Sequence, residues 1–159
     1  MDSGPLLQRI AKALAKCRLE VVLIGNAAAA LHGAPVTTVD FDFMFRKSPA
    51  NLKKLAQFGK SLEATVFRPY YRSSGLYRVM NDDNGLQVDF MCVVDGVRTL
   101  SKLKSRAKKV PMGGSELLVA SLADIIASKK AADRPRDRAV LEVLERTLRE
   151  TQKSQGRKS

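Results

Sequence analysis

Cysteine is scarce in this chain: there are two in 159 residues, Cys17 and Cys92, far apart and each among apolar neighbours. They match neither a metal-ligand nor a redox spacing, so both are expected as reduced core residues. Long apolar runs are missing too. None approaches the roughly 20 residues of a membrane span, which excludes a bilayer-crossing helix. Met1 to Lys16 lacks the basic start, apolar middle and small-residue cleavage site of a secretory leader, so a cytoplasmic protein with no membrane partner is expected. Histidine occurs once, as His32 before Gly33 at a helix end, where capping or packing is expected rather than catalysis. Acidic residues are the last scarcity, 16 against 28 Lys and Arg, for a net charge of +12. The surplus is uneven, with 16 of the 28 basic residues but 7 of the 16 acidic ones from Arg98 onward. Such a surplus attracts polyanions, although solubility alone accounts for it equally well.

What is present suits one compact unit. A chain of this length with 45% hydrophobic residues buries one core and not two. A single domain over residues 1–150 is expected, followed by a disordered basic tail, TQKSQGRKS, over 151–159. Leu6, Ile10, Leu14 and Cys17 recur at helical spacing, so a helix is expected over Pro5 to Lys16. LEVVLI (Leu19 to Ile24) reads as a buried strand, and Asn26 as the cap of a short helix, Ala27 to Leu31. Val39 to Phe45 alternates with period two, placing Val39, Phe41, Phe43 and Phe45 on one face and Asp40, Asp42 and Met44 on the other. A helix opens at Ser48-Pro49, and strands are expected over Leu62 to Phe67, Leu76 to Met80 and Leu86 to Val94, the last two joined by the turn NDDNG. A short helix from Val97 to Leu103 and a strand near Lys109 to Met112 follow, then the Gly113-Gly114 turn and a continuation over Glu116 to Ala120. Helices over Leu122 to Ala132 and Arg138 to Arg149, broken at DRPRD, complete an α/β (α+β) chain.

Chemistry concentrates in GNAAAALHGAPVTTVDFDFMF, Gly25 to Phe45. Two ionised carboxylates one residue apart on a half-buried strand face are costly without a counter-charge. A shared proton, a divalent cation or a salt bridge to one of the many Lys and Arg residues would each relieve that cost. Asp89, in the neighbouring apolar stretch LQVDFM, is a third candidate. Three carboxylates from two adjacent strands would make a hard-oxygen cage suited to Mg²⁺, which takes few protein ligands and leaves room for phosphate. Two such ions about 4 Å apart can activate an attacking hydroxyl and neutralise a leaving pyrophosphate. The turn at Gly25-Asn26 opens a helix of small residues whose free N–H groups suit phosphate. Close helix packing explains the alanines equally.

These residues resemble the signature of the DNA polymerase β-like nucleotidyltransferases: Gly-Gly or Gly-Ser at a helix start, about a dozen residues, Asp-x-Asp on a strand, and a later third Asp. SLADIIASKKAADRPRDRAVLEVL (Ser121 to Leu144) is similar to the C-terminal helices of a small bacterial branch akin to the AbiEii toxins, where a Lys on one helix precedes a Lys/Arg-Asp pair opening the next. The resemblance implies a minimal nucleotidyltransferase fold, a mixed twisted sheet flanked by helices with further helices at the C-terminus. It implies a nucleoside triphosphate near Gly25 and Asn26, Mg²⁺ (or Mn²⁺) on Asp40, Asp42 and Asp89, Lys129 toward the triphosphate, and Asp137 orienting the triphosphate or the helix pair. From the residues alone, Lys129 and Lys130 also fit a solvated helix face, and Asp137 a helix cap. Two positions depart from the pattern: Asn26 stands where Gly or Ser is usual, and Val36 where Arg is common, so activity would either be weaker or draw that phosphate contact from Arg46, Arg72 or Arg78.

For the acceptor, RPYYRSSGLYR (Arg68 to Arg78) interleaves tyrosine with arginine, as an RNA-contacting surface or an ordinary exposed strand pair can. SKLKSRAKK contributes Lys102, Lys104, Arg106, Lys108 and Lys109, a better polyanion candidate alongside Arg72 and Arg78. The expected activity is Mg²⁺-dependent transfer of a nucleoside monophosphate to a hydroxyl, with tRNA or other RNA as first acceptor and a protein hydroxyl or an aminoglycoside left open. The toxin branch adds a defence role with a cognate antitoxin. The rival reading is a nucleotide- or RNA-binding protein that kept the fold and lost the chemistry.

Overall fold

The structure, a computed structural model, describes residues 4–38, 40–68, 75–97 and 99–156. Seven strands form one mixed sheet in the order β3-β4-β5-β2-β1-β7-β6: β1 Val21–Ile24, β2 Phe41–Phe45, β3 Thr65–Phe67, β4 Leu76–Asn81, β5 Leu86–Met91, β6 Lys108–Met112 and β7 Ser115–Val119. At its centre β2 runs antiparallel to β1 and parallel to β5, placing Ile24 opposite Asp42 and Asp42 opposite Asp89. All four residues of β1 are buried, as expected for a strand covered on both faces.

The period-two pattern of β2 separates core from chemistry. Phe43 stacks on Phe90 of β5, Phe45 meets Tyr77 of β4 edge-on, and Phe58 closes on Phe90. Phe58 belongs to α3 (Pro49–Ser61), capped by Ser48, whose hydroxyl accepts from Asn51 N–H. α1 (Gly4–Cys17) packs on α3 and β7, burying Leu7, Ile10 and Leu14. Burying a phenylalanine contributes roughly 1.5–3 kcal/mol, so this aromatic cluster anchors one side of the sheet. Alternation sends Asp42 and Asp89 to the other side. There α2 (Gly25–Leu31) lies on β1, β2 and α5 (Leu122–Ala132), and α5 packs on α6 (Pro135–Gly156).

Several boundaries differ from expectation. Asp40 sits in the bend before β2, with Thr38 donating to its backbone oxygen at 2.6 Å; Val39 lies outside the described residues. α2 begins at Gly25, so Asn26 is in its first turn rather than capping it, and Ile24 at the cap offers no side-chain acceptor. α4 (Leu100–Arg106) starts later than the periodicity suggests because Thr99 caps it, accepting from Lys102 N–H. β6 and β7 form a separate antiparallel hairpin, turned by Gly113 and Gly114 at positive φ. Finally, α6 starts at Pro135 and runs to Gly156, so residues 151–156 are exposed helix rather than disordered tail. Extending an existing helix through Thr151, Gln152, Lys153 and Ser154 needs no new nucleus, and no breaker intervenes before Gly156. No helix of the described residues is long and apolar enough to cross a membrane.

Candidate active site

β1 ends where the chain must turn sharply into α2, and Gly25 takes φ +72 to do so. A Cβ at that position would lie 2.9 Å from Asp42 Oδ2, so the glycine serves the carboxylate as well as the turn. Asp42 is half-buried beside Asp40 and Asp89. Burial, then the negative charges of Asp89 and Asp40, push its pKa up to about 6; Lys129 and Arg136 oppose the rise. The three aspartates, Gly25, Asn26, Thr37 and Thr38 line a cleft of about 600 Å³. Asn26 Oδ1 is buried there without a hydrogen-bond partner. An unmet acceptor of this kind costs about 1–3 kcal/mol unless a donor arrives from outside the fold.

Asp89 is accounted for differently. Arg78, opposite it on β4, donates from Nε to Oδ1 at 2.8 Å and from the terminal nitrogen to Oδ2 at 3.1 Å, a two-pronged pair on a carboxylate 6% exposed. Among the described residues, no group of three or more His, Cys, Asp or Glu side chains is arranged to hold a metal ion. Asp42 and Asp89 face each other in register, as a three-carboxylate site would need, but in this arrangement Asp89 is paired with Arg78. Asp40 and Asp42 have no such partner among the described residues. Two hard-oxygen carboxylates without a paired cation still fit Mg²⁺, which commonly takes one or two carboxylates together with water and phosphate oxygens.

The opposite wall comes from the junction of α5 and α6. Ser121 caps α5 and Asp133 ends it in the left-handed conformation. Asp137, three residues past the cap position of α6, accepts from Arg134 N–H at 3.1 Å and from Arg134 Nε at 2.6 Å, the reciprocal half of a capping box. Lys129 Nζ approaches its Oδ1 at 3.7 Å. Burial pushes the Asp137 carboxyl up, but the Arg134 hydrogen bonds and the Arg134 and Lys129 charges outweigh it and hold it below the usual carboxylate range. Burial holds the Lys129 ammonium below the ordinary lysine value, against the pull of Asp137 and Asp42. Lys129, Arg134, Arg136 and Asp137 all line the cleft.

The expected site residues thus divide. Gly25, Asn26, Asp40, Asp42, Asp89, Lys129, Asp137 and Arg78 come together. Lys102, Lys104, Arg106, Lys108 and Lys109 are exposed and outside the lining. Lys104 pairs with Glu20 and Arg106 with Asp124, while Lys108 and Lys109 lie on the edge strand β6, where lysine deters pairing with other chains. Arg72 lies outside the described residues. Arg46 is not in the lining, Val36 packs against the core, and His32 Nε2 sits 2.8 Å from Ala120 O, a packing role. Sequence reading gave no role to Arg134, and took Arg136 only as the basic member of the Lys/Arg-Asp pair opening the last helix; the Pro-x-Asp spacing of a helix start was the available signal for both.

The cleft thus sets paired aspartates on a mixed sheet beside a glycine turn, faced by a basic helix junction. Residues 5–157 match the family described as "Nucleotidyl transferase of unknown function (DUF2204)", and the chain belongs to that family. No protein of curated function matches it in sequence. Its fold is similar to the solution structure of the antibiotic-resistance factor ANT(2'')-Ia (TM-score 0.67, 14% identity, 93% of this chain and 86% of that one). It is also similar to crystalline ANT(2'')-Ia in complex with adenylyl-2''-tobramycin (0.64, 16%, 92% and 89%). An antigenic nucleotidyltransferase-like protein from Paracoccidioides brasiliensis is a further match (0.53, 15%, 89% and 74%). At these identities the likeness establishes the fold and nothing finer.

Proposed function

We propose that the protein transfers a nucleoside monophosphate from a nucleoside triphosphate to a hydroxyl acceptor, with Mg²⁺ (or Mn²⁺) held by Asp40 and Asp42. The observation that carries this reading is Asp42: it lies against Gly25 without an ion-pair partner, its pKa pushed up to about 6, across the cleft from cationic side chains. One or two bound ions would supply charge neutralisation at the transferred phosphate and activation of the acceptor hydroxyl. The chain's own residues do the rest. Gly25 and Asn26 lie at the phosphate side of the turn, Lys129 offers an ammonium steadied by Asp137, and Asp89 with Arg78 fixes the neighbouring strand. Asp89 joins the ion only if Arg78 releases it.

RNA, a tRNA end among the candidates, is the acceptor we favour. The net charge of +12 and the exposed lysines 102, 104, 108 and 109 support it. A toxin role with an antitoxin partner follows only from the resemblance of the C-terminal helices. The Arg78 clamp on Asp89 favours a second reading, a nucleotide-binding protein with diminished chemistry.

Incubation with labelled nucleoside triphosphates and Mg²⁺, beside Asp42→Ala, separates these readings when total RNA and an aminoglycoside are supplied as alternative acceptors. Label on RNA that the substitution abolishes is the expected result. Label on the aminoglycoside keeps the enzyme and replaces the acceptor. Metal-dependent nucleotide binding with no transfer to either would establish the second reading in place of the first.

A further inference from the structure

Four cationic side chains line the cleft, and they are not equivalent. Arg78 is committed to Asp89, Arg134 to Asp137, and Lys129 is drawn to Asp137. Arg136 is exposed, lines the same cleft as Asp42, and makes no hydrogen bond or ion pair within the described residues. It occupies the first turn of the 22-residue α6, where the helix dipole adds positive potential and where Pro135 and the Arg134–Asp137 bonds hold the backbone. α2, with seven residues, is too short to provide much dipole of its own.

We propose that Arg136 is the residue that grips the polyphosphate tail of the nucleotide, its guanidinium fork free to take two phosphate oxygens while Arg134, Asp137 and Lys129 form the fixed base beneath it. The assignment rests on the nucleotide-binding part of the reading above. It implies a division of labour: a committed cation shapes the wall, and the uncommitted one meets the ligand. The charge of Arg136 is already felt at Asp42, consistent with both groups facing one ligand.

Isothermal titration of wild type, Arg136→Ala and Arg136→Lys with Mg²⁺ and inorganic tripolyphosphate, each of the four nucleoside triphosphates, and AMP tests this. Arg136→Ala should lose ten-fold or more in affinity for tripolyphosphate and for the preferred triphosphate, keep its affinity for AMP within two-fold, and melt like wild type. Arg136→Lys should recover part of the loss. Unchanged tripolyphosphate affinity in Arg136→Ala, or an equal loss for AMP and triphosphate, overturns the assignment. Tripolyphosphate binding that depends on Arg136, in a protein that transfers no label to any acceptor, keeps the assignment and removes the enzyme reading. Wild type that binds neither tripolyphosphate nor any nucleotide overturns both.

Discussion

The two walls of the cleft treat buried charge in opposite ways. On the helix wall Asp137, 1% exposed, receives a backbone N–H, an arginine side chain and a lysine, and its ionised form is favoured. On the strand wall Asp42 sits beside two further carboxylates with no cation bonded to it, and its ionised form is disfavoured. Asp89, opposite it on β5, is paired within the fold by Arg78. A carboxylate that serves the fold is paired within the fold. One left unpaired at a cost to stability is, under the proposed function, the carboxylate that meets metal and nucleotide.

The largest effect should follow from breaking the satisfied wall. Asp137→Ala strands Arg134 and leaves Lys129 half-buried without its partner; removing one member of a buried pair costs about 3–5 kcal/mol. Urea unfolding should record a loss of that order, with Asp137→Asn losing less. Stability near wild type would place Asp137 among the functional carboxylates and erase the contrast.

Next comes Asp42, where the sign reverses. Its folded-state pKa of about 6 lies above the model-peptide value, so the folded state binds the proton more tightly than the unfolded one. Its contribution to stability is greatest below about pH 4, declines as pH rises through 6, and is level above. At 1.36 kcal/mol per unit the decline is on the order of 3 kcal/mol. In metal-free buffer, Asp42→Asn should therefore lack this decline and equal or exceed wild type at pH 7. Added Mg²⁺ should stabilise wild type above pH 6 and leave the variant unmoved. Identical pH profiles for the two proteins would mean that Asp42 is neutralised within the fold after all.

The smallest effect should come from outside both walls. Replacing Lys102, Lys104, Lys108 and Lys109 by alanine should leave the urea midpoint unchanged, since exposed charges and exposed ion pairs contribute little. Retention on immobilised RNA should fall and lose part of its salt dependence. Undiminished retention would move the polyanion surface away from this stretch.

Much of the strand wall was legible because period two is a short-range property. FDFMF announces which residues face the aromatic core, and the positive-φ requirement at the end of β1 explains Gly25. The helix wall was read less well. Arg134 caps α6 and Arg136 lies in its first turn, where no periodicity marks them out, and their value comes from which side chains meet at the α5–α6 junction. The exposed basic stretch lies outside the cleft lining for the same reason, since charge density along the chain does not say which wall it reaches.

By itself the sequence determined the element types, the separation of phenylalanines from aspartates on β2, and the candidate carboxylates, all consequences of local backbone geometry and alternation. Tertiary structure decided how the charges of the two walls meet: that Arg78 claims Asp89, that Lys129 reaches Asp137 from the other helix, and that Asp42 and Arg136 are left facing one cleft. Pairing between residues far apart in the chain depends on strand register and helix packing, and no local pattern encodes which cation will arrive beside which carboxylate.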